Sequence, residues 1–255
     1  MNLLRQYRFL LFSITPNQSE RMSRISKSIK ILRDQFLLFR SSDFIAINKP
    51  SGFSASAGQT PSDGIQSLLK QMELVKKSMP IPVNSLGAET SGVVLLSLNS
   101  ANGKLSRQMI KNGAFWKCSY LGIVRGRLPL RMKEGIINIP LKRDGGGLVP
   151  TTGGETTITH WRLKKYSDNF SLIEFEPRTD VPGQIRAHTA MSLRCPIAND
   201  HVYDTSVPEG SKSIGLPLHL HKVEASLPGG EYVTIRATPI GVMAEEMTRL
   251  GWSLD

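Results

Sequence analysis

The sequence predicts an α+β fold, a mixed and mostly antiparallel sheet with flanking helices, and three observations carry that prediction. Segments rich in branched and aromatic residues pair across short polar turns. "TTITHWRLKKY" and "FSLIEFEP" flank Ser167-Asp168-Asn169, and "PLHLHKVEASL" and "EYVTIRATP" flank Pro228-Gly229-Gly230. In the last of these, Val233, Ile235 and Ala237 alternate with Tyr232, Thr234 and Arg236, the pattern of a strand with one buried and one wet face. Helical patterns are few and scattered between the strands.

In chain order, "DFIAINKPSG" (43–52) is a short apolar strand running into a Pro/Gly turn, followed by the polar loop "SASAGQTPSDG". "IQSLLKQMELVKK" (65–77) has apolar residues at helical spacing. "VNSLGAETSGVVLLSLNS" (83–100) is a loop, a turn at Thr90-Ser91-Gly92 and the buried strand Val93-Val94-Leu95-Leu96. "SANGKLSRQMIKNG" (100–113) reads as a helix with Ser at its start, Lys in its last turn and Gly to stop it. "FWKCSYLGIVRG" (115–126) is a strand, "GQIRAHTAMSLR" (183–194) a helix basic on one side, and "IGVMAEEMTRLGW" a closing helix. No repeat or linker divides the body, so the expected organisation is a basic arm over residues 1–30 and one domain over 31–255.

A chain of 255 residues is long enough to bury a real core without metal or disulfide. Cys118 and Cys195 lie far apart with no metal or redox spacing and read as ordinary thiols in a reducing compartment. Lys and Arg total 32 against 21 Asp and Glu, a net charge of +11 that suits a polyanionic partner. No apolar run reaches the ~20 residues of a membrane span. Residues 1–30 carry six basic groups and one acid, with Arg interleaved among Leu, Phe and Ser. That composition is expected of a mitochondrial transit peptide, with a disordered basic arm as the alternative, and it places the protein in the matrix.

Four segments, in order, resemble the RluA-type pseudouridine synthases. "DFIAINKPSG" is similar to their opening Asn-Lys-Pro-x-Gly strand and turn. "NSLGAETSG" is similar to their catalytic loop, typically His-Arg-Leu-Asp-x-x-Thr-Ser-Gly. "CSYLGIVRG" resembles the strand that supplies an active-site tyrosine. "TDVPGQIRAH" and "CPIANDHVYD" resemble the Thr-Gly-Arg-Thr-His-Gln-Ile-Arg-x-His segment and the Pro-Ile-x-Gly-Asp-x-x-Tyr turn. The resemblance runs from about Phe36 to the C-terminus and implies a pseudouridine-synthase-like domain that binds RNA. It implies a reaction without metal or cofactor: a uridine is flipped out of its stack, an aspartate drives cleavage of the glycosidic bond, and the uracil rejoins the ribose through carbon.

Carried over by position, the resemblance places the tyrosine at Tyr120, the arginine that faces the aspartate at Arg186, and RNA contacts at Lys49, Asn84, Arg186 and His188. The aspartate position is Gly87, and glycine supplies neither nucleophile nor base. Asn84 and Ser85 replace the loop's His and Arg, and Asp180-Val181-Pro182-Gly183 replaces Gly-Arg-Thr-His. Leu86, Thr90, Ser91, Gly92, Gln184, Ile185 and His188 keep the pattern. Residues that shape the scaffold match, and those that do chemistry mostly do not. The bland readings are a core aromatic for Tyr120, a solvated helix residue for Arg186 and a structural histidine for His188. His219 and His221 alternate on a strand with no third ligand in view.

The expectation is therefore a mitochondrial RNA-binding protein without isomerase activity, serving organellar ribosomal or messenger RNA in RNA or ribosome maturation. The alternatives are an active synthase with Glu89 or Asp180 as displaced acid, and a scaffold packed on mitochondrial ribosomal proteins. Because half of a buried ion pair left alone costs about 3–5 kcal/mol, Arg186 is expected in an open, wet pocket that an RNA phosphate can fill. Otherwise Asp180 or Glu89 must move in beside it.

Overall fold

The structure, a computed structural model, describes residues 33–55, 64–71, 74, 80–111, 115–129, 131–208 and 215–254. The expected arm or transit peptide over 1–30 lies outside the described residues. Strands β1 (Leu37–Arg40), β2 (Phe44–Lys49), β3 (Ile81–Pro82) and β4 (Ser91–Ser97) form one end of the sheet. The rest comes from β5 (Trp116–Arg125), β6 (Glu134–Asp144), β7 (Gly147–Pro150), β8 (Glu155–Tyr166), β9 (Phe170–Pro177), β10 (Leu218–Ser226) and β11 (Tyr232–Arg236). The helices are α1 (Ile65–Gln71), α2 (Ser100–Lys111), α3 (Gln184–Met191) and α4 (Val242–Arg249).

All the strands join one sheet in the order β1-β2-β4-β10-β5-β9-β8-β6-β7, with β3 added to β4 and β11 to β10. Every named pair is antiparallel except β4 with β10, so the sheet is mixed and mostly antiparallel. β2 and β4 are buried along their whole length, which is why they read as apolar runs instead of alternating. The parallel pair depends on Gly92 (φ +122°), because a Cβ there would lie 2.3 Å from the Leu220 carbonyl oxygen.

The largest core joins β2, β4, α1 and the inner residues of β10 and β11. A second surrounds Val124, Ile173, Phe175, Ile185 and Ile197 under α3. Across the sheet, Met243 and Met247 of α4 pack on Leu121, Ile123 and Leu172. Tyr120 touches both of the first two cores, which sets it at their seam.

Most predicted elements are present, with differences in extent. α1 ends at Gln71 instead of Lys77, and residues 72–73 and 75–79 lie outside the described residues. α2 is capped by Asn99, not Ser100, since the Ala101 amide donates to Asn99 Oδ1 at 2.9 Å. β11 alternates as expected, with Val233 and Ile235 inside and Tyr232, Thr234 and Arg236 outside. β1, β3 and the β6–β7 hairpin were not anticipated. In β6, Ile136 is exposed beside buried Ile137, and this apolar pair masks the alternation.

Candidate functional site

The loop 84–90 is built from main-chain bonds. Gly52 N–H donates to the Ala88 carbonyl at 2.7 Å, Ala55 N–H to Leu86 at 3.1 Å, and Leu216 N–H to Glu89 at 2.8 Å. Lys49 completes the frame from the end of β2. Its ammonium lies within 2.6–3.1 Å of the carbonyl oxygens of Pro50, Phe53, Gly87 and Thr90, and the residue is fully buried. Burial pulls this group down to about 7, and the four carbonyl dipoles act the other way by favouring the charged form. Asn84 fills a backbone role. Its Oδ1 accepts from Leu95 N–H at 2.9 Å and its Nδ2 donates to the Val93 carbonyl at 3.1 Å.

Gly87 stands at the exposed crest of this frame. A Cβ there would meet nothing within 4 Å, and its φ lies outside the left-handed region. Neither sterics nor backbone conformation demands glycine. The loop holds the position open with no group on it.

Arg186, from the first turn of α3, is already saturated with carboxylates. Its Nε and Nη2 donate to the two oxygens of Asp200, each at 2.6 Å, and its Nη1 donates to Glu89 Oε2 at 3.1 Å. Burial opposes the charge, but the Asp200 bond and the two nearby carboxylates hold the guanidinium above its ordinary value. Asp200 is wholly buried, while Glu89 keeps a third of its side-chain surface open. The expected open, wet pocket around Arg186 is thus corrected: Asp200 and Glu89 neutralise it from within. Asp180 makes no ion pair among the described residues. Its side chain is exposed, and partial loss of water pushes its carboxyl up.

Asp200 went unassigned in the sequence although it lies in the "CPIANDHVYD" turn. Its neighbour Asn199 takes φ +63°, where the resembled motif has glycine, and asparagine tolerates that conformation better than most residues. The same turn supplies Tyr203, whose ring lies 5.9 Å from the Arg186 guanidinium.

Tyr120 is half-buried, and its phenol is pushed well above its ordinary value by burial, then by Cys118 and Asp180. It remains a neutral phenol, an aromatic surface with a hydroxyl that does not ionise. His188 is wholly buried between two threonines, with Nε2 2.7 Å from Thr157 Oγ1 and Nδ1 2.9 Å from Thr159 Oγ1. Thr157 donates its hydroxyl proton to the Ile139 carbonyl, which leaves its oxygen to accept from His188 Nε2–H. Burial lowers His188 to about 4.

Of the positions named for RNA contact, Lys49, Asn84 and His188 therefore have side chains turned inward as fasteners of the scaffold, and Arg186 is engaged by acids. The structure brings Gly87, Glu89 and Arg186 together through the clamped loop and α3. His219 is likewise buried, between Ser91 Oγ at 2.9 Å and the Ala237 carbonyl at 3.2 Å, and His221 meets Glu174 at 3.2 Å. Among the described residues no group of three or more His, Cys, Asp or Glu could hold a metal ion. Nor is any helix among them long and apolar enough to cross a membrane.

Comparison with known proteins places these features in a family context. Residues 43–191 match the sequence profile of a family described as RNA pseudouridylate synthase. An uncharacterized RNA pseudouridine synthase of Zymomonas mobilis is 29% identical over 193 residues, covering 74% of this chain and 86% of that protein. Ribosomal large subunit pseudouridine synthase C of Rickettsia typhi is 31% identical over 187 residues, covering 71% of this chain and 60% of that protein. The mitochondrial pseudouridylate synthase RPUSD4 of Danio rerio is 26% identical over 238 residues, covering 75% and 66%. The chain thus spans less than two thirds of the length of the last two. Among solved structures, human RNA pseudouridylate synthase domain containing 4 superposes with a TM-score of 0.70 at 19% identity, over 91% of this chain and 99% of that one. That likeness speaks for the fold.

Proposed function

The chain belongs to the RNA pseudouridylate synthase family, and from that premise we propose that it binds mitochondrial RNA through this fold without isomerising uridine. One observation carries the reading: the position of the family's aspartate is Gly87, open and without a side chain, while the nearby carboxylates of Asp200 and Glu89 are bound to Arg186. Isomerisation needs a carboxylate at the ribose, and a misplacement of about 1 Å can lower a rate ~10²-fold. RNA binding does not share that requirement, because its main term comes from basic side chains facing phosphates.

The proposed client is ribosomal or messenger RNA of the organelle, and the proposed role is in its maturation or in ribosome assembly. The basic, acid-poor residues 1–30 support the location, as does the printed name of the Danio relative. Two measurements test the reading. Affinity for a transcript of mitochondrial ribosomal RNA should be measurable at low salt and fall as salt rises; binding indifferent to salt contradicts it. A tagged protein should reach mitochondria, and removal of residues 1–30 should leave it in the cytosol.

A second reading keeps turnover and gives the acid's part to Glu89. The observation favouring it is the 3.1 Å contact with Arg186, the guanidinium that the resemblance sets against the catalytic carboxylate. Under that reading Glu89→Gln abolishes a uridine isomerisation that the unmodified protein performs; under the first there is none to abolish.

A further inference from the structure

We propose that Asp180 makes this site a reader of guanine: its carboxylate accepts from N1–H and the N2 amino group of an unstacked guanosine whose base lies against the aromatic face of β5. This rests on the RNA-binding reading above and names the base that the site selects. Asp180 stands where the resembled segment has glycine, so the carboxylate is a departure of this chain. No hydrogen bond or ion pair engages it among the described residues.

The neighbours of Asp180 hold it in place. Thr179 Oγ1 accepts from Ile158 N–H at 2.9 Å and donates to Gln184 Oε1 at 2.8 Å. Val181 N–H donates to the same Gln184 oxygen at 3.3 Å, and the Val181 side chain packs on the small core of Leu141, Leu148 and Ala187. Gln184 is buried, and its Nε2 donates to the Ile158 carbonyl at 3.0 Å and to Thr159 Oγ1 at 2.8 Å. The backbone is thus fixed on both sides of Asp180, and a group set in advance loses little freedom when it binds. Thr179 and Gln184 are spent on these bonds, so Asp180 is the side chain of this stretch with hydrogen-bonding capacity to spare.

The charge of Asp180 reaches both the Cys118 thiol and the Tyr120 phenol, which places it over β5. Trp116, Cys118 and Tyr120 alternate along that strand and share one face, on which Trp116 and Tyr120 are half-buried. An aromatic surface beside a fixed hydrogen-bonding group is a common means of holding an unstacked RNA base. The choice of base follows from its donors, because an ionised carboxylate only accepts. Guanine offers two adjacent donors, N1–H and the N2 amino group, one for each carboxylate oxygen. Uracil offers N3–H between two carbonyl oxygens that the carboxylate repels, and cytosine and adenine each set a ring-nitrogen acceptor beside their amino group. The centre of the site is poorly suited to phosphate, since Arg186 already answers to two carboxylates. Phosphate contacts elsewhere then supply affinity, and Asp180 supplies the choice of base.

The test is competition. Short single-stranded oligoribonucleotides, identical except for one central guanosine, inosine or uridine, displace a labelled transcript of mitochondrial ribosomal RNA from the full chain. Guanosine should compete at least about fivefold better than uridine, with inosine, which lacks the N2 amino group, in between. Asp180→Asn sets a donor beside an acceptor, the complement of uracil O4 and N3–H. It should reverse the order of guanosine and uridine, a change of sign that a folding defect would not produce. Asp180→Ala should make the two equal. Equal competition by guanosine and uridine for the unmodified protein overturns the proposal, as does a guanosine preference that survives in both variants. If the transcript itself fails to bind, the RNA-binding reading has failed and takes the proposal with it; a bound transcript without base preference sinks the proposal alone.

Discussion

Gly87 and Arg186 are two halves of one arrangement, and they have fared differently. The arginine side is over-supplied: one guanidinium, two oxygens of a buried aspartate and a third oxygen from Glu89. The glycine side is empty, although the loop beneath it is held by a buried ammonium and several main-chain bonds. The difference separates what the fold requires from what the reaction requires. Arg186 needs no carboxylate at position 87 to balance its charge, because Asp200 neutralises it independently. On the proposed reading, the framework therefore persists without the chemistry.

The comparison can be broken from its strong side first. Arg186→Ala leaves the buried Asp200 carboxylate without its cation and should destabilise the protein by about 3–5 kcal/mol, read as a lowered urea midpoint. An unchanged midpoint would mean that the pair is solvated and that Arg186 is free for RNA. Lys49→Met should follow at roughly 2–3 kcal/mol: it relieves the buried charge but leaves carbonyl oxygens without a donor. A smaller loss would place the strength of the clamp in the main-chain bonds.

Acid should expose the inward-facing histidines. His188 and His219 are both held neutral by burial, lowered from 6.5 to about 4. Between those values the unfolded chain binds more protons than the folded one. Stability is therefore complete above about pH 6.5, falls as the pH drops towards 4, and loses nothing more from these groups below that. By pH 5 the loss should be on the order of 2 kcal/mol per histidine, and His188→Gln should flatten part of the profile. A flat profile in the unmodified protein would show that these rings are not buried neutral.

The smallest effect belongs to Gly87→Asp. The new side chain meets open space at an unstrained φ, and it joins a site that already holds two carboxylates, so stability should change by less than about 1 kcal/mol. A large stabilisation would indicate that Arg186 still lacks a partner.

Much of this was legible in the sequence. The buried runs of β2 and β4, the two hairpins and the alternation of β11 are period and turn signals, and they survive in the fold. Four ordered segments placed Gly87, Tyr120 and Arg186 by resemblance. What was not legible concerns direction. Lys49, Asn84 and His188 belong to residue types that readily contact RNA, yet each side chain turns inward, Asn84 to the neighbouring strand and Lys49 and His188 in part to groups about 30–40 positions away, and no local pattern records that choice. The partner of Arg186 was hidden similarly: Glu89 lies 97 positions from it, and Asp200, only 14 away, stands within a recognised turn that carried no role. The β6–β7 hairpin did leave a signal in Asp144-Gly145-Gly146, but Pro140 and the apolar pair Ile136-Ile137 obscured the strand beside it.

The most direct measurement is uridine isomerisation on a transcript of mitochondrial ribosomal RNA. Pseudouridine is counted after long incubation, and binding is followed in the same samples. The account predicts bound RNA and no pseudouridine above background with the unmodified protein. Pseudouridine formed by that protein, and lost in Glu89→Gln, would contradict it and transfer the acid's role to Glu89.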